Sequence, residues 1–364
     1  MTKSFSIYLD LIRFSASFLV VIDHMVSSGF FSTTTMQFVP QLGREAVIVF
    51  FVLSGFVISY VVDTKESNLR DYTVARMARM YSVALPILLL GFLTYLVTQS
   101  FVPSIESHYQ IDNYYIYIPF HLLFMGELWT LSEVPPWMTS YWSLSYEVWY
   151  YIFFASIFFL RGITRIIIAS IVFTIMGYKL WLLLPVWFSG VLLYKVGKNI
   201  TVSNATAWIG FCCTVIALVL YKVFDLDYQI REFTIVHTQD FSWSLGSADR
   251  FLSDYLVMLI IWFNFLFASR IPFSFSSKAA NTIRTLASYT FTLYLLHFVA
   301  LSFWISIDNT YQDNVLSIVG VLTLVTVSTW FVGKYTEHKK SAYVRFLNKS
   351  FDTLAATRRF IKSN

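Results

Sequence analysis

The chain has 364 residues, of which 57% are hydrophobic and only 13% are charged, with a formal net charge of +5. A soluble domain usually carries about a quarter charged residues, so this composition excludes an ordinary soluble protein. The two cysteines, Cys212 and Cys213, are adjacent and exclude a disulfide framework. We therefore expect an all-α polytopic membrane protein.

Long apolar stretches predict about ten transmembrane helices, because roughly 20 residues span a bilayer. They lie at 7–28, 45–62, 83–101, 144–160, 163–178, 180–196, 204–221, 251–269, 286–306 and 315–333. An eleventh stretch, 114–129, is interrupted by Pro119, His121 and Glu127. We predict that it does not cross, and that 103–142 forms an outer or re-entrant element.

The distribution of basic residues predicts the orientation. With ten spans and a cytoplasmic N-terminus, most of the 26 Lys and Arg residues fall on the cytoplasmic side, as the positive-inside rule requires. Both termini are then cytoplasmic. The predicted organisation is a transmembrane domain at 1–335, which includes the outer element, followed by a basic cytoplasmic tail at 336–364.

The first predicted span contains ionisable side chains that are costly in hydrocarbon. Arg13 and His24 are eleven residues apart, so both project from one helical face with about 16 Å of rise between them. Asp10 extends the same stripe. This pattern favours an enclosed polar passage. The alternative is a helix-end histidine and an arginine that reaches the interface.

A second polar cluster lies at the cytoplasmic start of the third span. Arg76 and Arg79 are i, i+3 neighbours on a predicted short amphipathic helix. The guanidinium fork can bind phosphate oxygens bidentately, so this pair predicts an anion site. Anchoring to the inner leaflet is the alternative.

A third polar group lies toward the outer side. Glu45 opens the second span and Glu147 opens the fourth, at about the predicted depth of His24. A neutral histidine with a carboxylate partner can take a proton from a hydroxyl, and we predict Glu147 as that partner. Further candidates for substrate contact are Trp142, Ser143, Tyr146, Glu45 and His297.

These motifs together resemble the acyltransferase-3 family of membrane O-acyltransferases. The matching segments are Arg13 with His24, Phe50–Phe56, Arg76 with Arg79, Trp142–Glu147, Ser288–His297 and Tyr335–Glu337. One departure is His338, which replaces the proline that commonly follows the terminal glutamate. The resemblance covers most of the chain.

The resemblance implies an activity and a set of roles. The donor would be cytoplasmic acyl-CoA, usually acetyl-CoA, used as a co-substrate with no permanently bound cofactor or metal. Arg76, Arg79 and Arg13 would hold it, and His24, Arg13 and Glu147 would be catalytic, with His24 acting as a base or carrying the acyl group.

The implied acceptor is a sugar hydroxyl in an exopolysaccharide, lipopolysaccharide or related glycan, at the bacterial cytoplasmic membrane. The resemblance leaves open the sugar, the acyl length and the oligomeric state. We expect contact with membrane lipids and none with nucleic acid.

Two other classes of function are compatible with buried ionisable groups. A proton-coupled secondary transporter would need no CoA, and its uptake would collapse with the proton gradient. The lack of internal repeats and of paired broken helices disfavours it. A non-catalytic component of a surface-polysaccharide assembly would tolerate the loss of Arg13 and His24 together.

Overall fold

The computed structural model describes residues 1–102, 113–238 and 244–363, with side chains up to residue 353, and contains no strand in these residues. The α-helices are α1 Lys3–Ser27, α2 Thr33–Met36, α3 Gly43–Thr64, α4 Leu69–Phe101, α5 Tyr114–Leu122, α6 Trp142–Phe159, α7 Gly162–Gly197, α8 Asn204–Val223, α9 Leu226–Thr238, α10 Phe251–Ala268, α11 Ser277–Ala287, α12 Thr290–Ile307, α13 Val315–Tyr335 and α14 Lys340–Ser363.

The helices confirm the all-α polytopic prediction. Within the described residues, eight helical stretches are long and apolar enough to cross a membrane. All ten predicted spans fall on helices. We call the end of the bundle where α1 begins the inner end and the opposite end the outer end, which follows the predicted orientation.

Two predicted spans, 163–178 and 180–196, form one bent helix, α7. The bend is at Gly177, whose φ of 77° and ψ of 172° interrupt the helix. Trp181 packs back across the bend, since its indole N–H donates to the carbonyl of Phe173 at 2.7 Å and their rings stack. Gly177 has no Cβ to oppose this positive φ, so it allows α7 to bend here.

The structure corrects the prediction for the first half of α4. Arg76 and Arg79 lie on the same continuous helix as the third span, and no separate amphipathic helix precedes it. Pro86 lies inside this helix and does not end it. The two arginines therefore project from the inner end of a long, packed helix, because the apolar pattern of the span continues back through Tyr72 and Val74, which are buried.

The predicted outer element contains α5, which has nine residues and is about 14 Å long, too short to span a bilayer. Residues 103–112 of this element lie outside the described residues. The segment after α5 is tied to α7 by a buried ion pair of 3.1 Å between Glu127 and Lys179. Ser247 also donates to Glu127 at 3.1 Å.

In the core, helices α3 and α7, which are far apart in the sequence, are in direct backbone contact. A Cβ atom at Gly55 would overlap the carbonyl oxygen of Trp187, and one at Gly190 would overlap that of Val52. Small residues allow such close approach between membrane helices. Helix α3 also packs against α1, which in turn packs against α12. These three helices, together with α4 and α6, carry many of the polar side chains described below.

The predicted basic tail begins with a short 3-10 turn and continues as α14, which packs on the inner part of α4. Arg70 of α4 bonds the carboxylate of Asp352 at 2.7 Å and the carbonyl of Asn348 at 3.2 Å. The first half of the tail is therefore part of the folded bundle at its inner end.

Candidate active site

Two histidines from different helices are in direct contact near the outer end. His24 lies in the last turn of α1, and His297 lies two turns into α12. The Nδ1 atom of His24 is 2.7 Å from the Nε2 atom of His297, and the rings are nearly parallel. His297 is fully buried, whereas His24 borders a cavity.

The second nitrogen of His297 fixes the direction of the hydrogen bonds. Its Nδ1 is 3.0 Å from the carbonyl oxygen of Leu293, which can only accept. A neutral His297 therefore donates from Nδ1 and accepts at Nε2. The Nδ1–H of His24 is then the donor between the rings, so Nε2 of His24 carries a free lone pair. This arrangement makes Nε2 of His24 a base or a nucleophile.

His24 opens into an outer cavity of about 570 Å³, which we call the histidine cavity. Its polar lining includes Asp23, His24, Arg44, Glu45, Ser140, Trp142, Lys222, Asp227, Ser247 and Arg250. This lining contains both positive and negative groups. A cavity of this size and polarity suits a sugar better than an apolar ligand.

Two ion-pair groups fix the polar wall of the histidine cavity. Lys222 bridges Glu45 at 3.2 Å and Asp227 at 2.6 Å. Arg44 forms a two-pronged pair with the buried carboxylate of Asp254, with an Nε to Oδ1 distance of 2.9 Å. These pairs join α3 to α8, α9 and α10.

The guanidinium of Arg44 also lies over the ring of Trp142, 5.0 Å from its centroid. Trp142 is therefore held at the cavity wall by a cation–π contact. Close to it, the hydroxyl of Ser140 is buried and has no hydrogen-bond partner. An unpaired buried hydroxyl is costly, which makes Ser140 a candidate for bonding to a bound polar molecule.

A second cavity lies toward the inner end and is lined by Arg13, Arg76 and Arg79 together with Ser143, Glu147 and Tyr294. We call it the arginine cavity. It is small in this conformation, at about 70 Å³. The Nε atoms of all three arginines are buried without a hydrogen-bond partner. Three unsatisfied guanidinium donors around one space are suited to an anionic ligand.

The three arginines differ in their other contacts. Arg13 bonds Asp10 at 2.9 Å and the carbonyl of Ala287 at 3.2 Å. Arg76 bonds Glu66 at 2.6 Å. Arg79 has no hydrogen bond or ion pair with any side chain in the described part of the chain, and is therefore the most available cation.

Glu337 lies just beyond α13 and belongs to the same inner group. Its Oε2 accepts from the backbone N–H and the hydroxyl of Thr292, at 3.1 and 3.0 Å. It also interacts electrostatically with Arg13 and Arg79. The last motif matched in the sequence thus lies near two of the three arginines that line the cavity.

The prediction that Glu147 orients His24 is wrong. Glu147 accepts hydrogen bonds from Ser54, at 2.8 Å, and from Tyr151, and it lines the arginine cavity. It lies one and a half turns into α6, about 7 Å below Trp142, so it is deeper than His24. The partner of His24 is His297.

Two candidates for substrate contact are also corrected. Tyr146 is fully buried in the core, where its ring meets Phe51 and Trp142 and its hydroxyl bonds Glu127 at 3.3 Å. His297 is shielded behind His24. Ser143 lies on the same face of α6 as Glu147 and lines the arginine cavity, whereas Trp142 and Glu45 line the histidine cavity.

The sequence indicated one passage from Arg13 to His24, but the structure has two cavities with a common wall. Val47 and Tyr294 line both of them. The wall residue Tyr294 was not singled out in the sequence, and neither were Arg44 and Lys222. Arg44 could have been found from the sequence, because it is a charged residue directly beside the predicted site residue Glu45.

No group of three or more His, Cys, Asp or Glu side chains that could hold a metal ion occurs in the described residues. A comparison with protein-family models matches residues 6–334 to the acyltransferase domain model of the acyltransferase-3 family. Comparisons with curated proteins and with solved structures gave no match.

Proposed function

The chain belongs to the acyltransferase-3 family, and from this premise we propose that it is a membrane O-acyltransferase that uses acyl-CoA to acylate a glycan hydroxyl. The family match already makes it a multi-pass membrane acyltransferase. The donor, the acyl group and the acceptor are our proposal, as is the bacterial cytoplasmic membrane. The observation that carries it is the pair of cavities, one cationic and one with an oriented imidazole.

The donor is proposed to bind from the inner end. Acyl-CoA carries several phosphate charges, and the unpaired Nε donors of Arg13, Arg76 and Arg79 provide bonds for such groups. The acyl group is proposed to be an acetyl group, carried by the same donor.

The acceptor is proposed to bind in the histidine cavity. Trp142, held by Arg44, offers an aromatic face to a sugar ring, and the unpaired hydroxyl of Ser140 offers a hydrogen bond. Both positive and negative groups line the cavity. A neutral or weakly charged sugar is the best match to such a lining.

The proposed reaction is a direct transfer with His24 as general base. Nε2 of His24 takes the proton of the sugar hydroxyl, while the hydroxyl oxygen attacks the thioester carbonyl. The carbon–sulfur bond breaks, and the CoA sulfur takes the proton from the imidazolium. The products are the sugar ester and free CoA, and His297 supports the charge that forms on His24.

The test is acyl transfer from radiolabelled acetyl-CoA by membranes that contain the wild-type protein or the His24→Ala variant. Mass spectrometry of envelope glycans from the same cells should show an acetyl increment that requires His24. Equal acyl transfer by both proteins, at equal amounts of folded protein, would refute the role of His24 as the general base. Label retained on the wild-type protein after denaturation would instead indicate an acyl-histidine intermediate.

A further inference from the structure

Tyr294 is the larger of the two side chains, the other being Val47, that line both cavities and so form the wall between them. It lies on α12 one turn before His297, and their ring centroids are 6.3 Å apart. Tyr294 is nearly buried, at 6% exposure, yet it lines both the arginine and the histidine cavity. Its ring also packs edge to face on Phe50, at 5.5 Å.

A single hydrogen bond to another helix fixes the hydroxyl of Tyr294. Its oxygen is 2.7 Å from the hydroxyl oxygen of Ser143 on α6. The Ser143 hydroxyl is also 3.1 Å from the carbonyl of Ser140, to which it donates. Since Ser143 has one hydroxyl proton, Tyr294 is the donor in the first bond. The ring is thus held in place between α12 and α6 by one neutral hydrogen bond.

We propose that Tyr294 is the partition across which the acyl group passes, and that it keeps water in the histidine cavity away from the thioester. The acyl-transfer part of this inference rests on the proposed function. The reaction requires the sugar oxygen, beside His24, to meet a carbonyl carbon delivered from the arginine cavity. Within the described residues, Tyr294 and Val47 are the two that line both spaces.

The partition accounts for a chemical requirement of such an enzyme. Water reaching a bound acetyl thioester would hydrolyse it to acetate and free CoA, a loss that exclusion of water prevents. A ring held by one hydrogen bond can close the wall and still be displaced when donor and acceptor are both bound. Tyr294 is therefore a positioning residue that separates the donor and acceptor sites.

The first experiment measures the barrier without using acyl-CoA. In a background in which the exposed Cys212 and Cys213 are serines, Ser54→Cys places one thiol in the arginine cavity. An anionic, membrane-impermeant methanethiosulfonate is applied at the outer end. Replacing Tyr294 by alanine should speed labelling of that thiol at least tenfold.

Two controls make the labelling result specific. Gln41→Cys places the thiol in the histidine cavity, and its labelling rate should be the same with Tyr294 or alanine. Tyr294→Phe keeps the ring and loses the hydrogen bond, so its labelling should stay close to the parent rate. Equal labelling of Ser54→Cys with tyrosine and with alanine would overturn the partition, as would a phenylalanine variant as permeable as alanine.

The second experiment measures CoA release by purified protein from acetyl-CoA alone, with no acceptor. Tyr294→Ala should raise this release several-fold above wild type while it lowers acetylation of envelope glycans. CoA release that is unchanged in Tyr294→Ala would overturn the role of Tyr294 in excluding water. If neither wild type nor variant acetylates envelope glycans from acetyl-CoA, the proposed function fails, and the labelling experiment still decides whether Tyr294 separates the cavities.

Discussion

The Nδ1 atom of His24 lies 2.7 Å from the Nε2 atom of His297, across 273 positions of the chain. One ring nitrogen of His297 bonds the carbonyl of Leu293, so the other accepts from His24. A backbone carbonyl on α12 thereby sets the tautomer of a side chain on α1. His24 is left with its unprotonated nitrogen at the cavity.

This contact predicts that His24 and His297 act as one unit. His24→Ala should lower kcat by about 10²- to 10⁴-fold, the usual contribution of a general base. His297→Ala should cause a smaller loss, and the double variant should be no worse than His24→Ala alone. The measurement is acetyl transfer by equal amounts of folded protein, with KM for acetyl-CoA determined separately.

Two further variants distinguish orientation of His24 from a structural role of His297. In His297→Gln the amide oxygen can still accept from Nδ1–H of His24, so this variant should retain more activity than His297→Ala at the same KM. His237 is an exposed side chain in the last turn of α9, and His237→Ala should behave as wild type. Additive losses of activity from His24→Ala and His297→Ala would contradict the prediction that the two histidines act as one unit.

The arginine cavity predicts a donor-binding role for Arg79, because among the described residues no side chain bonds its guanidinium, whereas Arg13 and Arg76 are each bonded to a carboxylate. Arg79→Gln should raise KM for acetyl-CoA about 10- to 100-fold, the value of one or two charge-assisted hydrogen bonds. The turnover number should change little. Arg79→Lys should recover only part of the loss, since an ammonium cannot bond bidentately.

A matched control for Arg79 lies on the same helix. Arg70 is more exposed and pairs with Asp352 at the inner surface, so Arg70→Gln removes one positive charge from α4 outside the cavity. Its KM for acetyl-CoA should stay near the wild-type value. A similar rise in both variants would mean that the general positive charge of the inner end, and not the cavity, attracts the donor.

The elements predicted best from the sequence are the membrane spans, whose prediction depends only on the length of an apolar stretch. All ten spans fall on helices, since about 20 apolar residues have few other stable structures in a membrane. The adjacent spans 163–178 and 180–196 predicted a turn between them, but they did not predict one helix with a bend at Gly177. Its cause is a positive φ stabilised by the packing of Trp181 on Phe173, a contact that apolar periodicity does not contain.

The site was predicted in part, for a similar reason. The spacing of Arg13 and His24 along one helix predicted that they lie at different depths in the membrane, and in the structure they line separate cavities. Whether two side chains on different helices are in contact depends on the depth of each helix in the membrane and on its rotation about its axis. The sequence defines these only to within about one helical turn. An error of one turn assigned Glu147 to His24, and His297 was predicted only as a candidate for substrate contact, not as the partner of His24.

The backbone contact between α3 and α7 predicts that Gly55 and Gly190 cannot carry a side chain. Gly55→Ala or Gly190→Ala would press a methyl group against a carbonyl of the facing helix. Each should destabilise the fold by about 1–3 kcal/mol, the usual cost of overpacking. The measurement is the melting temperature and the folded yield in detergent.

Gly197 is the control for this pair, because it lies on α7 and a Cβ there would meet only ordinary contacts of 3.6 and 3.8 Å. Gly197→Ala should therefore melt within a degree or two of wild type. If Gly55→Ala and Gly190→Ala melt at the wild-type temperature as well, the close approach of α3 and α7 is incorrect.

Asp308, in the connection between α12 and α13, predicts a pH-dependent contribution to stability. Hydrogen bonds from the hydroxyl of Ser317, and then from the N–H and hydroxyl of Thr310, lower the pKa of this carboxyl to about 2. Because the unfolded carboxyl titrates near pH 4, the unfolded state binds more protons between pH 4 and pH 2, and stability rises with pH across that window.

The wild-type protein should therefore melt above Asp308→Asn at pH 7, and the difference should shrink as the pH falls from about 4 toward 2. Ser317→Ala removes the first donor and leaves the carboxylate in place, so it should show a smaller difference with the same pH trend. Melting temperatures in detergent from pH 7 to pH 3 measure both. A difference that stays constant over this range would show that the bonds act through packing of the α12–α13 connection and not through the charge of Asp308.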